Sequence, residues 1–107
     1  MDAKEILEVK ILKRAKEHPA VGKAINAPVV FDLSGDGGGT WTLDFTTPEV
    51  SVYPGVVENP KVTFCMAAAD FVAMVEGELN AQKAFLTGKL KVKGDMGSAL
   101  KLGQLLS

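Results

Sequence analysis

The sequence is short of the groups that carry out chemistry. Its 107 residues include one cysteine, one histidine, one tryptophan and one tyrosine, and aromatic residues make up only 7%. The lone Cys65 cannot form an internal disulfide, which excludes a disulfide-stapled secreted scaffold and leads us to expect a reducing, cytoplasmic setting. The longest uninterrupted apolar run, residues 64–69, falls far short of the ~20 residues a spanning helix needs. The start has no basic stretch followed by an apolar segment, so no secretory signal is expected. The net charge of −1 lacks the basic excess of a nucleic-acid binder.

Catalytic and cofactor motifs are equally sparse. His18 has neither a readable nucleophile nor an orienting partner nearby, and its place beside Pro19 suits a helix-end surface residue. No Cys/His pair has metal-ligand spacing, so no metal is expected. The glycine run at 37–39 leads into Trp41 and a strand rather than a helix, unlike a phosphate loop. We expect no catalytic residue and no cofactor.

What the chain does have is apolar material, with 47% hydrophobic and 23% charged residues, as in an ordinary folded chain. Its length suits a single domain over residues 1–107. Charge is segregated: residues 24–60 carry no Lys or Arg but five acids, Asp32, Asp36, Asp44, Glu49 and Glu58. That stretch is also the richest in β-branched and turn residues, so the shift marks a change of secondary structure.

Residues 2–18 are rich in Lys, Glu, Ala and Leu and predict a helix, with Leu7, Ile11 and Ala15 in one row and Pro19 as its end or kink. The span from Leu7 to Ile11 also alternates as a strand would. After Pro28, period-2 alternation dominates. Val29, Phe31 and Leu33 share one face, followed by Trp41, Leu43 and Phe45, then Val50 and Val52, then Val62, Phe64 and Met66, and finally Leu90 and Val92. Between the last two sets, Phe71, Met74 and Val75 have helical spacing, with Gly77 suited to the C-terminal end. Asn80 suits the N-cap of a short helix through Ala84 and Phe85 that ends near Gly88. Asp95 suits the cap of a last helix whose Met96, Ala99, Leu100, Leu102 and Leu106 share one arc. The fold class is α+β: a five-stranded, mostly antiparallel sheet with helices covering one face.

Lys89, Lys91 and Lys93 form a basic row. It reads either as a solvated face or guarded edge strand, or as an attraction for an anionic membrane surface or for the phosphates of a carrier group such as coenzyme A. The Met and Phe side chains gathered on one sheet face read equally as a packed core or as an adaptable apolar cavity.

The run Asn80, Gln82, Ala84, Phe85, Gly88, Lys89, Leu90, Lys91, Gly94, Asp95, Met96, Ala99, Lys101, Leu102 matches a pattern N-P-Q-x-A-F-x-x-G-K-L-K-x-x-G-[ND]-M-x-x-A-x-K-L almost throughout. It resembles the C-terminal signature of the sterol carrier protein type 2 family. Asp70-Phe71 through Gly77, Leu79 and Asn80 resembles the family's lead-in, and residues 39–44 resemble its Trp-bearing strand. Ala81 stands where the family often has Pro, a change tolerated in a first helical turn. The chain ends Leu105-Leu106-Ser107 rather than in Ser-Lys-Leu, so no peroxisomal address is expected. The resemblance implies a non-catalytic lipid carrier that holds a sterol, fatty acid or fatty acyl-CoA in a hydrophobic tunnel between the sheet and the later helices, with transient membrane contact. The lining expected on this basis is Trp41, Phe45, Val50, Val52, Met66, Phe71, Met74, Phe85, Leu90, Met96 and Leu100, with Gln82 a polar contact near the mouth. A protein-interaction module of the same fold with a filled pocket is the alternative.

Overall fold

The computed structural model describes residues 2–106. The first helix, α1, covers residues 3–17 and is not uniform: an α-helical turn at Ala3–Glu5 passes into a π-helical stretch at Ile6–Ile11 and returns to α-helix at Leu12–Glu17. The helical composition therefore prevails over the local alternation at Leu7–Ile11. The π stretch has a physical correlate. Ala3, Leu7, Ile11 and Ala15 are all buried, a four-residue repeat that would drift around an α-helix of about 3.6 residues per turn. The wider i→i+5 turn keeps that row facing inward. Asp2 caps the start, its carboxylate accepting from the Glu5 N–H at 2.9 Å.

His18 leaves helical geometry, and Pro19 opens a second helix, α2 (Pro19–Ile25), which the sequence reading had not separated. Pro suits a first helical position because its missing N–H has no helical partner there. Asn26 ends α2 in the left-handed conformation at φ 45°.

Five strands follow: β1 (Pro28–Ser34), β2 (Gly39–Asp44), β3 (Ser51–Pro54), β4 (Val62–Ala67) and β5 (Lys91–Gly94). Helices α3 (Ala68–Val75) and α4 (Ala81–Leu86) lie between β4 and β5, and α5 (Met96–Leu106) ends the chain. The sheet order is β3-β2-β1-β4-β5. All neighbours are antiparallel except the central pair β1–β4, which is parallel and sets Phe31 beside Phe64. Their rings stack with centroids 5.4 Å apart, and Phe71 of α3 meets Phe31 edge-on at 5.6 Å.

The parallel pair has a topological consequence. β3 runs parallel to β4 but lies on the other side of β2 and β1, so residues 55–61 must return across the sheet. They are tied at one end by the Gly55 N–H to the Thr40 carbonyl (2.9 Å) and at the other by the Lys61 N–H to the Pro28 carbonyl (2.9 Å). The Thr42 hydroxyl donates to the Gly55 carbonyl at 2.8 Å, and both Thr42 and Val30, on the face away from the helices, are buried. The helices cover one sheet face as expected, and the return segment adds cover at Thr42 and Val30 on the other.

On the helix side, Val29, Phe31, Leu33, Leu43, Val62 and Phe64 pack beneath Ile6, Leu7, Ile11, Phe71 and Val75 in one continuous core. Each such burial is worth about 1.5–3 kcal/mol. The chain's one arginine ties three helices together. Arg14 on α1 donates to the Leu105 carbonyl of α5 at 3.0 Å and to the Val75 carbonyl of α3 at 3.3 Å. Both acceptors lie at helix C-termini, where carbonyls lack helical partners and the dipole favours a cation. Among the described residues, no helix is long and apolar enough to cross a membrane.

Arg14→Ala leaves both carbonyls without this donor and should destabilise the fold by about 1–3 kcal/mol. For a chain of this size that lowers Tm by roughly 4–8 °C per kcal/mol in a thermal melt. Arg14→Lys should recover only part of the loss, since one ammonium on a flexible stem cannot reproduce the planar fork.

Candidate functional site

The last third of the chain builds the site. Asn80 caps α4 as its sequence suggests, its side-chain oxygen accepting from the Lys83 N–H at 3.1 Å. Only Ala84 on this short helix is fully buried, and the Leu90 N–H donates to its carbonyl at 3.0 Å, folding the following turn back under α4. Gly94 then allows a close approach that no other residue would. At φ 107°, a Cβ there would stand 2.2 Å from the Lys61 carbonyl, where the chain makes its Asp95 N–H bond.

Asp95 starts α5. Its carboxylate accepts from the Ser98 N–H at 3.0 Å and from the Ser98 hydroxyl at 2.5 Å. The Ser98 hydroxyl, then the Ser98 N–H, holds the Asp95 carboxyl below the usual carboxylate range, with Lys61 and Lys101 acting in the same sense.

α5 does not turn its whole apolar arc into the core. Ala99, Leu102, Leu105 and Leu106 are buried, whereas Met96 and Leu100 are 44% and 77% exposed. The expected single arc is therefore split: Leu102 and Leu105 are sealed in the core, whereas Met96 and Leu100 stand open at the edge of a cavity whose buried wall includes Ala99 and Leu106. Phe85 (44% exposed) and Leu86 (76%) of α4 border it from the opposite side.

The cavity has a volume of about 580 Å³. Phe64 of β4 and Leu90 and Val92 beside and on β5 form its floor. Ala81, Gln82, Phe85 and Leu86 of α4 and Met96, Ala99, Leu100, Gly103 and Leu106 of α5 form its walls. Gln82 is the one polar side chain in this lining. The small residues Ala81, Ala99 and Gly103 give the space its room. A second cavity of about 560 Å³ adjoins it across Ala81, Gln82, Leu100 and Gly103, extending along the gap between α4 and α5 toward Met74, Leu79 and Asn80. A pocket of this size, apolar with a single polar group at its rim, suits an elongated apolar ligand better than a polar one.

The structure brings Gln82, Phe85, Leu90, Met96 and Leu100 together at the first cavity and places Met74 at the adjoining one. The other expected lining residues lie elsewhere. Trp41, Met66 and Phe71 are sealed in the packed core under α1 and α3, and Val52 leans on that core from β3. Phe45 and Val50 border a separate cavity of about 330 Å³ that also includes Lys16, Lys23 and Glu49 beside α2. Phe45 lies so close over Gly22 that a Cβ there would meet its ring at 2.7 Å. The loop carrying Phe45 and Val50 is held by Asp44, whose carboxylate accepts from the Thr46 N–H (2.8 Å), the Thr46 hydroxyl (2.5 Å) and the Tyr53 hydroxyl (3.3 Å). Partial burial pushes the Asp44 carboxyl up, but these donors outweigh it and hold it below its ordinary value.

Sequence reasoning missed Phe64, Ala81, Leu86, Val92, Ala99, Gly103 and Leu106. Phe64 and Val92 alternate in phase with Met66 and Leu90, a signal that was present. Ala81, Ala99 and Gly103 matter through the volume they leave empty, which periodicity does not register.

Fold and cavity together define a class: an α+β domain with a sheet covered by helices on one face and an apolar pocket between the sheet and its C-terminal helices. Comparison with known proteins gives the family. The sequence model of the SCP-2 sterol transfer family matches residues 9–107, and the chain belongs to that family. It is 42% identical over 88 residues to hydroxysteroid dehydrogenase-like protein 2 of Homo sapiens, a match covering 81% of this chain and 21% of that protein. It is 38% identical over 86 residues to sterol carrier protein 2 of Homo sapiens, covering 78% of this chain and 16% of that one. The chain thus spans about a fifth of the length of these curated relatives. In fold it matches the solution structure of the sterol carrier protein domain 2 of Helicoverpa armigera, with a TM-score of 0.78, 28% identity, and coverage of 95% of this chain and 83% of that one.

The Asp95 cap carries a pH signature. Because its folded pKa is depressed, its contribution to stability is full above the unfolded carboxylate value of about 3.9 and is lost as pH falls through the lower folded value. Asp95→Asn keeps a capping acceptor but does not titrate. In thermal melts, the Tm gap between the native protein and Asp95→Asn should be constant from pH 7 to 5 and narrow below about pH 4.

Proposed function

We propose that this chain is a non-catalytic lipid carrier or lipid-presenting module, taking a fatty acid, fatty acyl-CoA or sterol into the cavity between β4, β5, α4 and α5. The observation that supports this reading most is the cavity of about 580 Å³, apolar in its lining and bordered by half-exposed Phe85 and Met96 and largely exposed Leu86 and Leu100. Such side chains gain by contact with an apolar guest. Each CH₂ taken from water contributes about 0.8 kcal/mol, so an extended acyl chain reaches useful affinity with few polar contacts. Apolar walls distinguish one methylene from the next only weakly, which suits a broad range of cargo. Gln82, the polar side chain in the lining, would meet a headgroup at the mouth. Family membership supports the same conclusion.

The filled-pocket interaction module is the second reading. The dense packing of Phe31, Phe64 and Phe71 is the observation in its favour, but Phe64 is also part of the floor of an open cavity, so the packed core stops at the cavity's edge and does not fill it.

A fluorescent fatty acid titrated into delipidated protein should bind saturably in the micromolar range; no saturation would remove the main support for a carrier. Met96→Trp fills the cavity mouth. It should weaken uptake about tenfold, equivalent to losing about two buried CH₂ groups, while shifting stability by less than about 1 kcal/mol because Met96 is half exposed. A packed site would instead lose about 1–3 kcal/mol to the same overfilling.

A further inference from the structure

The outward side of α1 carries a pattern that neither the core nor the cavities between α4 and α5 use. Val9 is 55% exposed there and Leu12 is half-buried. A groove of about 430 Å³ runs along the helix between these two and Glu8, Lys13, Lys16 and Glu17, and among the described residues no other element borders it. From its N-terminal end the face runs Lys4, Glu5, Glu8 and Val9. From its C-terminal end it runs Glu17, Lys16, Lys13 and Leu12. Three lysines and three glutamates leave it neutral, so a partner of one sign gains nothing there. The remaining charges of α1 lie elsewhere. Asp2 caps the helix, Lys10 shares the row of buried Ile6, and Arg14 reaches inward to α3 and α5.

Each charge counted from one end is answered by its opposite counted from the other, with the apolar pair at the centre. We propose that two copies of this chain associate through antiparallel α1 helices, related by a twofold axis midway between Val9 and Leu12. Glu5 of each copy then stands level with Lys16 of the other, Glu8 with Lys13, Lys4 with Glu17, and Val9 with Leu12. Other arrangements lose the match. A parallel pairing in register sets the acidic Glu5 and Glu8 of one copy level with those of the other. An antiparallel pairing slipped by one turn sets Glu8 level with Glu17 in one direction and Lys4 level with Lys13 in the other. The order of charges thus selects one orientation and one register. The π-helical stretch assists, because its wide turn holds residues four apart in straight rows on the outward side as it does on the buried side. Pairing leaves both cavities between α4 and α5 open, since no residue of α1 borders either one. About eight residues a side fall short of the ~20–30 of a standard interface, so the dimer is a weak, exchanging one with Kd about 0.1 mM.

Sedimentation velocity of the whole chain at about 0.05 M salt tests this. The average mass should rise from monomer toward dimer between about 0.01 and 1 mM protein. The rise should shrink as salt increases to about 0.5 M. Glu5→Lys with Glu8→Lys should weaken self-association at least about tenfold. Adding Lys13→Glu and Lys16→Glu to that same chain should restore it, although Glu5 and Lys16 lie about 16 Å apart along one helix and cannot meet within a copy. Circular dichroism checks that each variant keeps its fold. An equimolar mixture of Glu5→Lys/Glu8→Lys with Lys13→Glu/Lys16→Glu gives a second measurement, with the reversed charges on separate chains, and should associate where neither variant does alone. A monomer at every concentration, a dimer unaffected by the paired reversals, or restoration by neither route would overturn the proposal.

Discussion

The parallel pairing of β1 with β4 is the constraint on which the rest of the structure depends. It joins the N-terminal hairpin to the C-terminal half across the centre of the sheet and sets Phe31 against Phe64. It also dictates the return of residues 55–61 over the far face, with Thr42 and Val30 buried beneath. Parallel neighbours cannot be joined by a tight hairpin. Everything between Asp44 and Val62 is in this sense the connection that makes the central pair attainable.

Around that seam the molecule divides into a closed side and an open side. Over β1, β2 and the start of β4, the large side chains of α1 and α3 interlock with Phe31, Leu43 and Val62 to near-complete burial. Over β5 and the end of the chain, α4 and α5 present alanines and glycine inward and leave a void. Interiors fill at near-crystalline density wherever side chains allow it, so the void follows from what α4 and α5 offer rather than from loose folding. Arg14 connects the two sides, taking the carbonyl ends of α3 and α5 with one guanidinium and fixing the far end of the helix that walls the cavity.

The charge distribution follows the same division. The basic excess lies in residues 79–107, which include α4, β5 and α5, and the acidic excess in residues 24–60, which include β1, β2 and β3.

Much of this was written locally. Alternation marked the strands, Asn80 and Asp95 marked the helix starts, and the signature from Asn80 to Leu102 marked the family, because each depends on neighbours within a few residues. Other features have no local trace. The split arc of α5, with Leu102 sealed and Leu100 in the open, depends on where α4 stands across the gap. The burial of Trp41, Met66 and Phe71 in the packed core depends on how closely α1 and α3 sit on the sheet. The Leu105-Leu106-Ser107 ending differs from Ser-Lys-Leu at all three positions, and the last of them, Ser107, lies outside the described residues. The sequence by itself determined the α+β class, the strand faces and the caps, since hydrophobic period and hydrogen-bonding side chains act over short range. Only the tertiary structure decided which apolar residues became core and which became cavity wall, because a void is a property of facing surfaces and no single element contains it.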